Sequence, residues 1–315
     1  MNQVKEILVS IQCITFNHKP YLRQALDSFL AQKTTFGVEV IVHDDASTDG
    51  TTDILREYAE KYPDLIIPMY EEENQWKKTG MKPVFARMTD ISRGKYIAYC
   101  EGDDFWQDSF KLQKQVDAME KHPEASMCFT GFQTVDNNGV PYSLSQYELW
   151  NKEGHSGELF FDLLDHNIIL TPTTLYRKEV FSTNIYLKTP LRLDYFAFLS
   201  AAAIGNLIYL PERTACYRQT PTGAMATKLP WVQEKYNKIK EYFLYEYAIG
   251  NIPKPFSWAG FFAKVEMVNI ALRRKMSGVD KDLFSRLYTE NSRLRIYAIF
   301  AWIQIKYQNW RYTHK

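Results

Sequence analysis

Between Lys95 and Trp106 the chain reads Lys-Tyr-Ile-Ala-Tyr-Cys-Glu-Gly-Asp-Asp-Phe-Trp, a β-rich apolar run of strand length that stops abruptly in three carboxylates around one glycine. Crowded carboxylates repel one another unless water, donor groups or a cation compensates, and an all-oxygen cluster suits hard divalent ions such as Mg2+ or Mn2+. In open α/β sheets ligands bind at the carboxyl ends of the strands, so Glu101 to Asp104 reads as the edge of a site. The alternative is a turn that only reverses the chain, with Asp108 capping a helix from Phe110 onward.

The same layout occurs earlier. Ile7 to Ile14 is a buried strand followed by the polar break Thr15-Phe16-Asn17-His18, and Tyr21 to Gln32 then carries Leu22, Ala25, Leu26 and Phe29 on one helical face behind Pro20. Val38 to His43 is a second strand, running into Asp44-Asp45-Ala46-Ser47-Thr48-Asp49-Gly50-Thr51. Ser47 or Asp49 can cap the helix from Thr52 to Lys61, and Asp49-Gly50 makes the turn. That accounts for Ser47, Asp49 and Gly50 better than for the adjacent acids Asp44 and Asp45. A third strand at Leu65 to Met69 leads into the acidic loop Glu71 to Trp76 and a helical run to Arg93. Three strand-helix units in succession predict a mostly parallel sheet covered by helices on both faces. No glycine-rich dinucleotide fingerprint follows the first strand.

The formal net charge of +1 hides an asymmetry. Residues 228–315 hold 16 Lys and Arg against 7 Asp and Glu, whereas residues 1–227 hold 22 against 30. The acidic part suits a metal or a cation-bridged ligand, and the basic part an anionic surface. Met1 to Leu8 carries no leader pattern, and no stretch reaches the roughly 18 to 20 apolar residues of a membrane span. Cys13, Cys100, Cys128 and Cys216 are far apart, as expected of reduced packing residues in a cytoplasmic protein.

Taken together, Thr-Phe-Asn after the first strand, Asp-Asp-Ala-Ser-Thr-Asp-Gly-Thr after the second, and Gly94-Lys95-Tyr96-Ile97 leading to Glu101-Gly102-Asp103-Asp104 resemble the family 2 glycosyltransferases over roughly residues 6–225. The resemblance implies a GT-A, Rossmann-like fold and an inverting enzyme that uses a nucleotide-diphosphate sugar, here a UDP-sugar. It implies that Thr15, Phe16 and Asn17 line the nucleoside pocket and that Asp45 accepts from the uracil N3–H. Asp103 contacts the ribose or the cation, and Asp104 is the last acid of a DxD-type motif binding Mn2+ or Mg2+. Arg87 is similar to an arginine that faces the donor, although Met88 stands where the family often has asparagine.

The second half is expected to build the acceptor side. Lys111 to Lys121 reads as an exposed helix, Ala125 to Phe132 as a strand, and Asp136-Asn137-Asn138-Gly139 as a hairpin turn at a sheet edge. An acceptor hydroxyl attacking an anomeric carbon needs a general base. The resemblance points to Asp194, where the residues alone allow an ordinary helix cap; Leu193 departs from the acid or glycine that many members place just before it. Glu158, Asp162 and Asp165 fit an exposed helix face. Thr171-Pro172-Thr173-Thr174 reads as a turn. Tyr217 to Gly223 is similar to a loop that closes over the donor, with Gln219 and Thr220 where some members place a metal-binding histidine.

Residues 1–227 are thus expected to form the catalytic domain, divided near residue 105 into nucleotide-sugar and acceptor halves, and residues 228–315 a basic, aromatic-rich helical extension. Within 256–312 the aromatic segments suit peripheral contact with the inner face of the cell membrane, or packing and homodimer formation. No nucleic-acid motif accompanies the basic residues. The expected acceptor is a glycan or lipid-linked glycan in cell-surface polysaccharide assembly. A sugar-1-phosphate nucleotidyltransferase would need a glycine-rich phosphate loop after the first strand, which Thr15 to Lys19 does not supply. A non-catalytic nucleotide- or glycan-binding protein of the same fold is the rival from another class, and the presence of Asp45, Asp103, Asp104 and Asp194 together argues against it.

Overall fold

The computed structural model describes residues 5–188, 194–220, 230–255, 257–277, 280, 282–294, 297–301 and 304. These fall into two compact units, one spanning residues up to Leu159 and from His166 to 220, the other joining Phe160–Asp165 to the residues from Pro230 onward.

In chain order the elements are β1 (Ile7–Thr15), α1 (Leu22–Leu30), β2 (Gly37–Asp44), α2 (Thr51–Lys61), β3 (Ile66–Tyr70), α3 (Gln75–Lys78), α4 (Lys82–Ile91), β4 (Tyr96–Tyr99), β5 (Phe105–Trp106), α5 (Lys111–Lys121), β6 (Ala125–Val135), β7 (Pro141–Tyr142) and α6 (Ser145–Glu153). They continue with α7 (Phe160–Asp165), β8 (Leu175–Arg177), α8 (Asn184–Lys188), α9 (Asp194–Ile204), β9 (Asn206–Arg218), α10 (Pro230–Ile249), α11 (Trp258–Ser277) and α12 (Leu283–Glu290).

All the strands belong to one sheet of order β3-β2-β1-β4-β8-β6-β9-β5, with β7 paired to β6. The first four strands are parallel, and β8 then turns antiparallel between β4 and β6. The parallel half follows from its sequence. Val9, Ile11 and Cys13 of β1 and Val40 and Val42 of β2 lie in one core with Leu22, Ala25, Leu26 and Phe29 of α1, and Ile41 meets Val84 and Met88 of α4 on the other face. A strand covered on both faces must be apolar at nearly every position. Among the polar exceptions, buried Glu39 accepts from Ser10 Oγ at 2.6 Å, from Arg93 N at 2.6 Å and from Arg93 Nε at 2.5 Å.

Three local readings change. The helix at Lys111–Lys121 is not simply exposed: Leu112, Val116 and Met119 enter the core and Lys111 and Gln115 are fully buried. Gln115 Nε2 donates to the carbonyls of Cys128 and Thr173, which lets a polar-looking face pack inward. The strand begun at Ala125 runs on to Val135, where Asp136 Oδ1 takes the N–H groups of Asn138 and Val140 to close the β6–β7 hairpin. Asp108 does not cap α5: the N-cap is Phe110, without a side-chain cap bond, and Asp108 Oδ1 accepts from Phe110 N at 2.8 Å in the turn before it. All four cysteines are buried and free.

In the second unit α10 and α11 share the ion pair Arg274–Glu241 at 2.6 Å, and Asn291 Nδ2, just past α12, donates to Ala248 O at 3.0 Å. Trp258, Phe262, Ile299 and Phe300 are exposed on it. No described helix is long and apolar enough to cross a membrane.

Candidate functional site

Because β1, β2 and β4 are parallel and paired, their carboxyl ends lie along one edge, with Thr15 opposite Asp44 and Gln12 opposite Tyr99. The chain keeps following β1 after β4 ends: Cys100 N donates to Gln12 O at 3.2 Å and Gly102 N to Ile14 O at 2.9 Å. This lays Glu101–Asp104 beside Thr15–His18, with Asp45 N bound to Thr15 O at 3.0 Å on the other side. The three polar breaks therefore meet where the strand order changes direction, the place at which open α/β sheets hold ligands.

The glycine of Glu-Gly-Asp-Asp is required by close approach. A Cβ on Gly102 would stand 2.8 Å from Thr15 Oγ1, 2.9 Å from Thr15 Cβ and 3.1 Å from His18 Nδ1. The turn that follows brings Glu101, Asp103 and Asp104 together, each offering a carboxylate oxygen within 4.8 Å of the others. Asp104 is buried; its Oδ1 accepts from Arg218 N at 2.7 Å, and its Oδ2 is buried with no hydrogen-bond partner among the described residues. Asp103 Oδ2 lies 3.8 Å from His18 Nε2.

Packing without compensation shows in the acidity of the cluster. Burial first, then the charges of Asp103 and Asp194, pushes the Glu101 carboxyl up to about 8, although its surface is partly open. Burial, Asp103 and Glu101 push Asp104 well above the usual carboxylate range, with Arg218 opposing. A set of oxygen donors held too close for its own charge, one of them an orphaned buried oxygen, fits a hard divalent cation.

The resemblance assigned metal binding to Asp103 and Asp104; Glu101 completes the cluster. The glycine between Glu101 and Asp103 is the signal in the sequence, since it lets the acidic turn lie against Thr15 and His18. Asp194 opens α9, accepts from Tyr195 N at 2.7 Å, and is near enough to raise Glu101. Residues 189–193, just before it, and the part of the Tyr217 to Gly223 loop beyond Thr220 lie outside the described residues.

On the nucleoside side Asn17 adopts a φ of 56°, donates its N–H to Ser47 Oγ at 2.9 Å and accepts from Thr48 N at 2.8 Å. It ties the loop after β1 to the loop after β2, while Phe16 is exposed and Thr15 is fully buried. Asp44 is structural, accepting from Ser47 and from Thr52 Oγ1. Asp49 accepts from Thr51 N at 2.9 Å and orders the start of α2. Asp45 is buried and takes the amides of Gln75 at 2.6 Å on Oδ1 and Trp76 at 3.1 Å on Oδ2, so it positions α3. Arg87 pairs with Glu71, which also meets His43 Nε2 at 3.1 Å. Burial raises Glu71, and these two partners outweigh it, so its carboxyl stays below the usual range.

A mixed α/β sheet with an acidic cluster beyond its central strands is the GT-A arrangement. The sequence model described as Glycosyl transferase family 2 matches residues 10–184, and the chain belongs to that family. An uncharacterized protein of Mycobacterium tuberculosis is 37% identical over 216 residues, which is 68% of this chain and 60% of that protein. The Bacillus subtilis protein TuaG, named as a teichuronic acid biosynthesis glycosyltransferase, is 34% identical over 134 residues, 42% of this chain and 50% of TuaG. The chain thus spans about 60% of the length of the mycobacterial relatives it matches. Among solved structures, S. aureus TarS 1-349 in complex with UDP-GlcNAc aligns with a TM-score of 0.60 at 16% identity, covering 96% of this chain and 92% of that one. A mannosyltransferase from Pyrobaculum calidifontis in complex with GDP-Man and Mn2+ aligns at 0.50 and 16% identity, covering 94% and 86%. These two likenesses are likenesses of fold.

Proposed function

We propose that this chain is a metal-dependent, inverting glycosyltransferase that moves a sugar from a UDP-sugar to a hydroxyl of a glycan or lipid-linked glycan. The observation that carries the reading is the Glu101–Asp103–Asp104 cluster with its unpartnered buried Asp104 oxygen, seated beside Thr15–Asn17 and Asp45. Glu101, Asp103 and Asp104 would hold Mn2+ or Mg2+, which when bound supplies charge stabilisation to a departing diphosphate. The loop residues Thr15, Phe16 and Asn17, with Asp45, hold the nucleoside. The carboxylate of Asp45 keeps lone pairs beyond its two amide bonds, enough to accept from a base N–H. Arg87 reaches the donor side through its pairing with Glu71.

Asp194 is the general base. The acceptor oxygen forms its bond to the anomeric carbon as the bond from that carbon to the diphosphate oxygen breaks, and Asp194 takes the acceptor's proton. Attack from the face opposite the leaving group inverts the configuration. The UDP-GlcNAc in the TarS structure supports a UDP-sugar donor, and the teichuronic acid in the name of TuaG supports a role in cell-surface polymer synthesis, which the proposal places at the cytoplasmic side. Exposed Trp258, Phe262, Ile299 and Phe300 support an apolar contact surface within 256–312, against a membrane face or a second copy.

Calorimetric titration with UDP, GDP, dTDP and CDP, each with Mn2+ and with EDTA, tests the reading. Binding confined to UDP, measurable in EDTA and strengthened at least tenfold by Mn2+, is expected. Binding of another nucleotide keeps the class and overturns the role of Asp45; UDP release on addition of acceptor separates a transferase from a binding protein.

A further inference from the structure

Arg218 ends β9 and is buried, yet among the described residues its guanidinium pairs with no carboxylate. Four of its five N–H donors go to neutral oxygens: Nε to Asp103 O at 2.8 Å, Nη1 to Asp136 O at 3.2 Å and Asn137 O at 3.1 Å, and Nη2 to Gln24 Oε1 at 2.6 Å. The guanidinium also lies over the rings of Tyr21 at 4.8 Å and Phe105 at 5.4 Å. Its backbone N–H holds Asp104 Oδ1. Tyr21 in turn hydrogen-bonds Asn137, so the start of α1, the β6–β7 hairpin and the acidic turn all converge on this one side chain.

We propose that Arg218 is the positioning residue of the acidic cluster, its guanidinium fixing the Asp103–Asp104 turn from behind while leaving Asp104 Oδ2 open to a cation. The inference rests on the metal-binding reading of the preceding section. An arginine paired directly to Asp104 would compete with a metal for the same oxygens. Bound instead to the Asp103 carbonyl, it supplies a compensating charge and fixes the turn without occupying Asp104 Oδ2. Lysine cannot take its place. A single ammonium has no planar fork to span Asp103, the hairpin and Gln24 at once.

The test compares wild type, Arg218→Lys, Gln24→Leu and the double variant. Mn2+ affinity is read from the paramagnetic resonance of the free ion, UDP affinity in EDTA by calorimetry, and folding by thermal melting. Arg218→Lys is expected to weaken Mn2+ at least tenfold while metal-free UDP binding changes less than twofold. Gln24→Leu removes one acceptor of the fork and is expected to weaken Mn2+ about threefold, which carries the test if Arg218→Lys does not fold. The double variant is expected to be no worse than Arg218→Lys, because both changes break the same fork. Equal Mn2+ affinity in the folded variants and a binding-competent wild type overturns the proposal and leaves the functional reading standing. A wild type that binds no Mn2+ overturns the metal reading, and the role of Arg218 with it.

Discussion

Asp104 gives one carboxylate oxygen to the backbone N–H of Arg218, 114 residues further along the chain and 2.7 Å away, and leaves the other buried without a partner. That division of labour separates folding from binding. Asp104→Asn retains an oxygen for the Arg218 amide and removes the charge that a cation requires. The variant is expected to melt near the wild-type temperature, or above it because a like-charge contact with Asp103 and Glu101 is relieved, and to lose Mn2+ binding by at least a hundredfold. Unchanged Mn2+ affinity, measured by titration calorimetry, would remove Asp104 from the metal site.

Asp194 acts on the acceptor in the proposed mechanism, which gives it no part in holding the nucleoside or the metal. Asp194→Asn should therefore keep Mn2+-dependent nucleotide affinity within about threefold and lower kcat by roughly 10²- to 10⁴-fold, the usual weight of general base catalysis. Initial rates of UDP release at saturating donor make the comparison. A variant that turns over normally would leave Asp194 with only its place at the start of α9.

Gly102 has no room for a side chain. A methyl group there would press on Thr15 Oγ1 at 2.8 Å, at the end of β1, and on His18 Nδ1 at 3.1 Å, on the loop after it. Overpacking of this kind costs about 1–3 kcal/mol. Gly102→Ala is thus expected to lower the unfolding free energy in urea by that amount and to weaken nucleotide and Mn2+ together, since it pushes the nucleoside loop and the acidic turn apart. Nucleotide binding that survives intact would show the two loops to be independent.

How far the sequence discloses this site depends on how local each relationship is. The parallel half of the sheet can be read because strands covered on both faces must be apolar, and the polar breaks then mark their carboxyl ends, as at Thr15, Asp44 and Glu101. The Glu-Gly-Asp-Asp turn is equally local, so its acids stand out. Arg218 does not: nothing near it in sequence refers to Asp104, and only the antiparallel pairing of β5 with β9 brings the two together. The structural role of Asp45 is hidden for the same reason, because the amides it binds belong to Gln75 and Trp76 across an intervening strand. Lys111 is hidden by its own chemistry, since a lysine opening a charged helix reads as exposed.

Lys111 carries the last prediction. It is fully buried, its Nζ donates to Gln115 Oε1 at 2.6 Å and lies 4.4 Å from the centre of the Trp106 ring, and burial pulls it down to about 7. The unfolded chain holds this proton up to about pH 10 whereas the folded chain releases it near pH 7. Between those values the unfolded state binds more protons, so this residue makes stability rise with pH, and its cost is fully present below pH 7. Lys111→Met removes the titration but leaves Gln115 Oε1 without its donor, so the sign of the difference at one pH is not decisive. The slope is. The wild-type unfolding free energy relative to that of Lys111→Met should climb by up to about 1.4 kcal/mol per pH unit from roughly pH 7 towards pH 10. Urea melts of both proteins from pH 6 to pH 9.5 measure it, and parallel curves would mean that Lys111 keeps its proton when buried, held by the Trp106 face and Gln115.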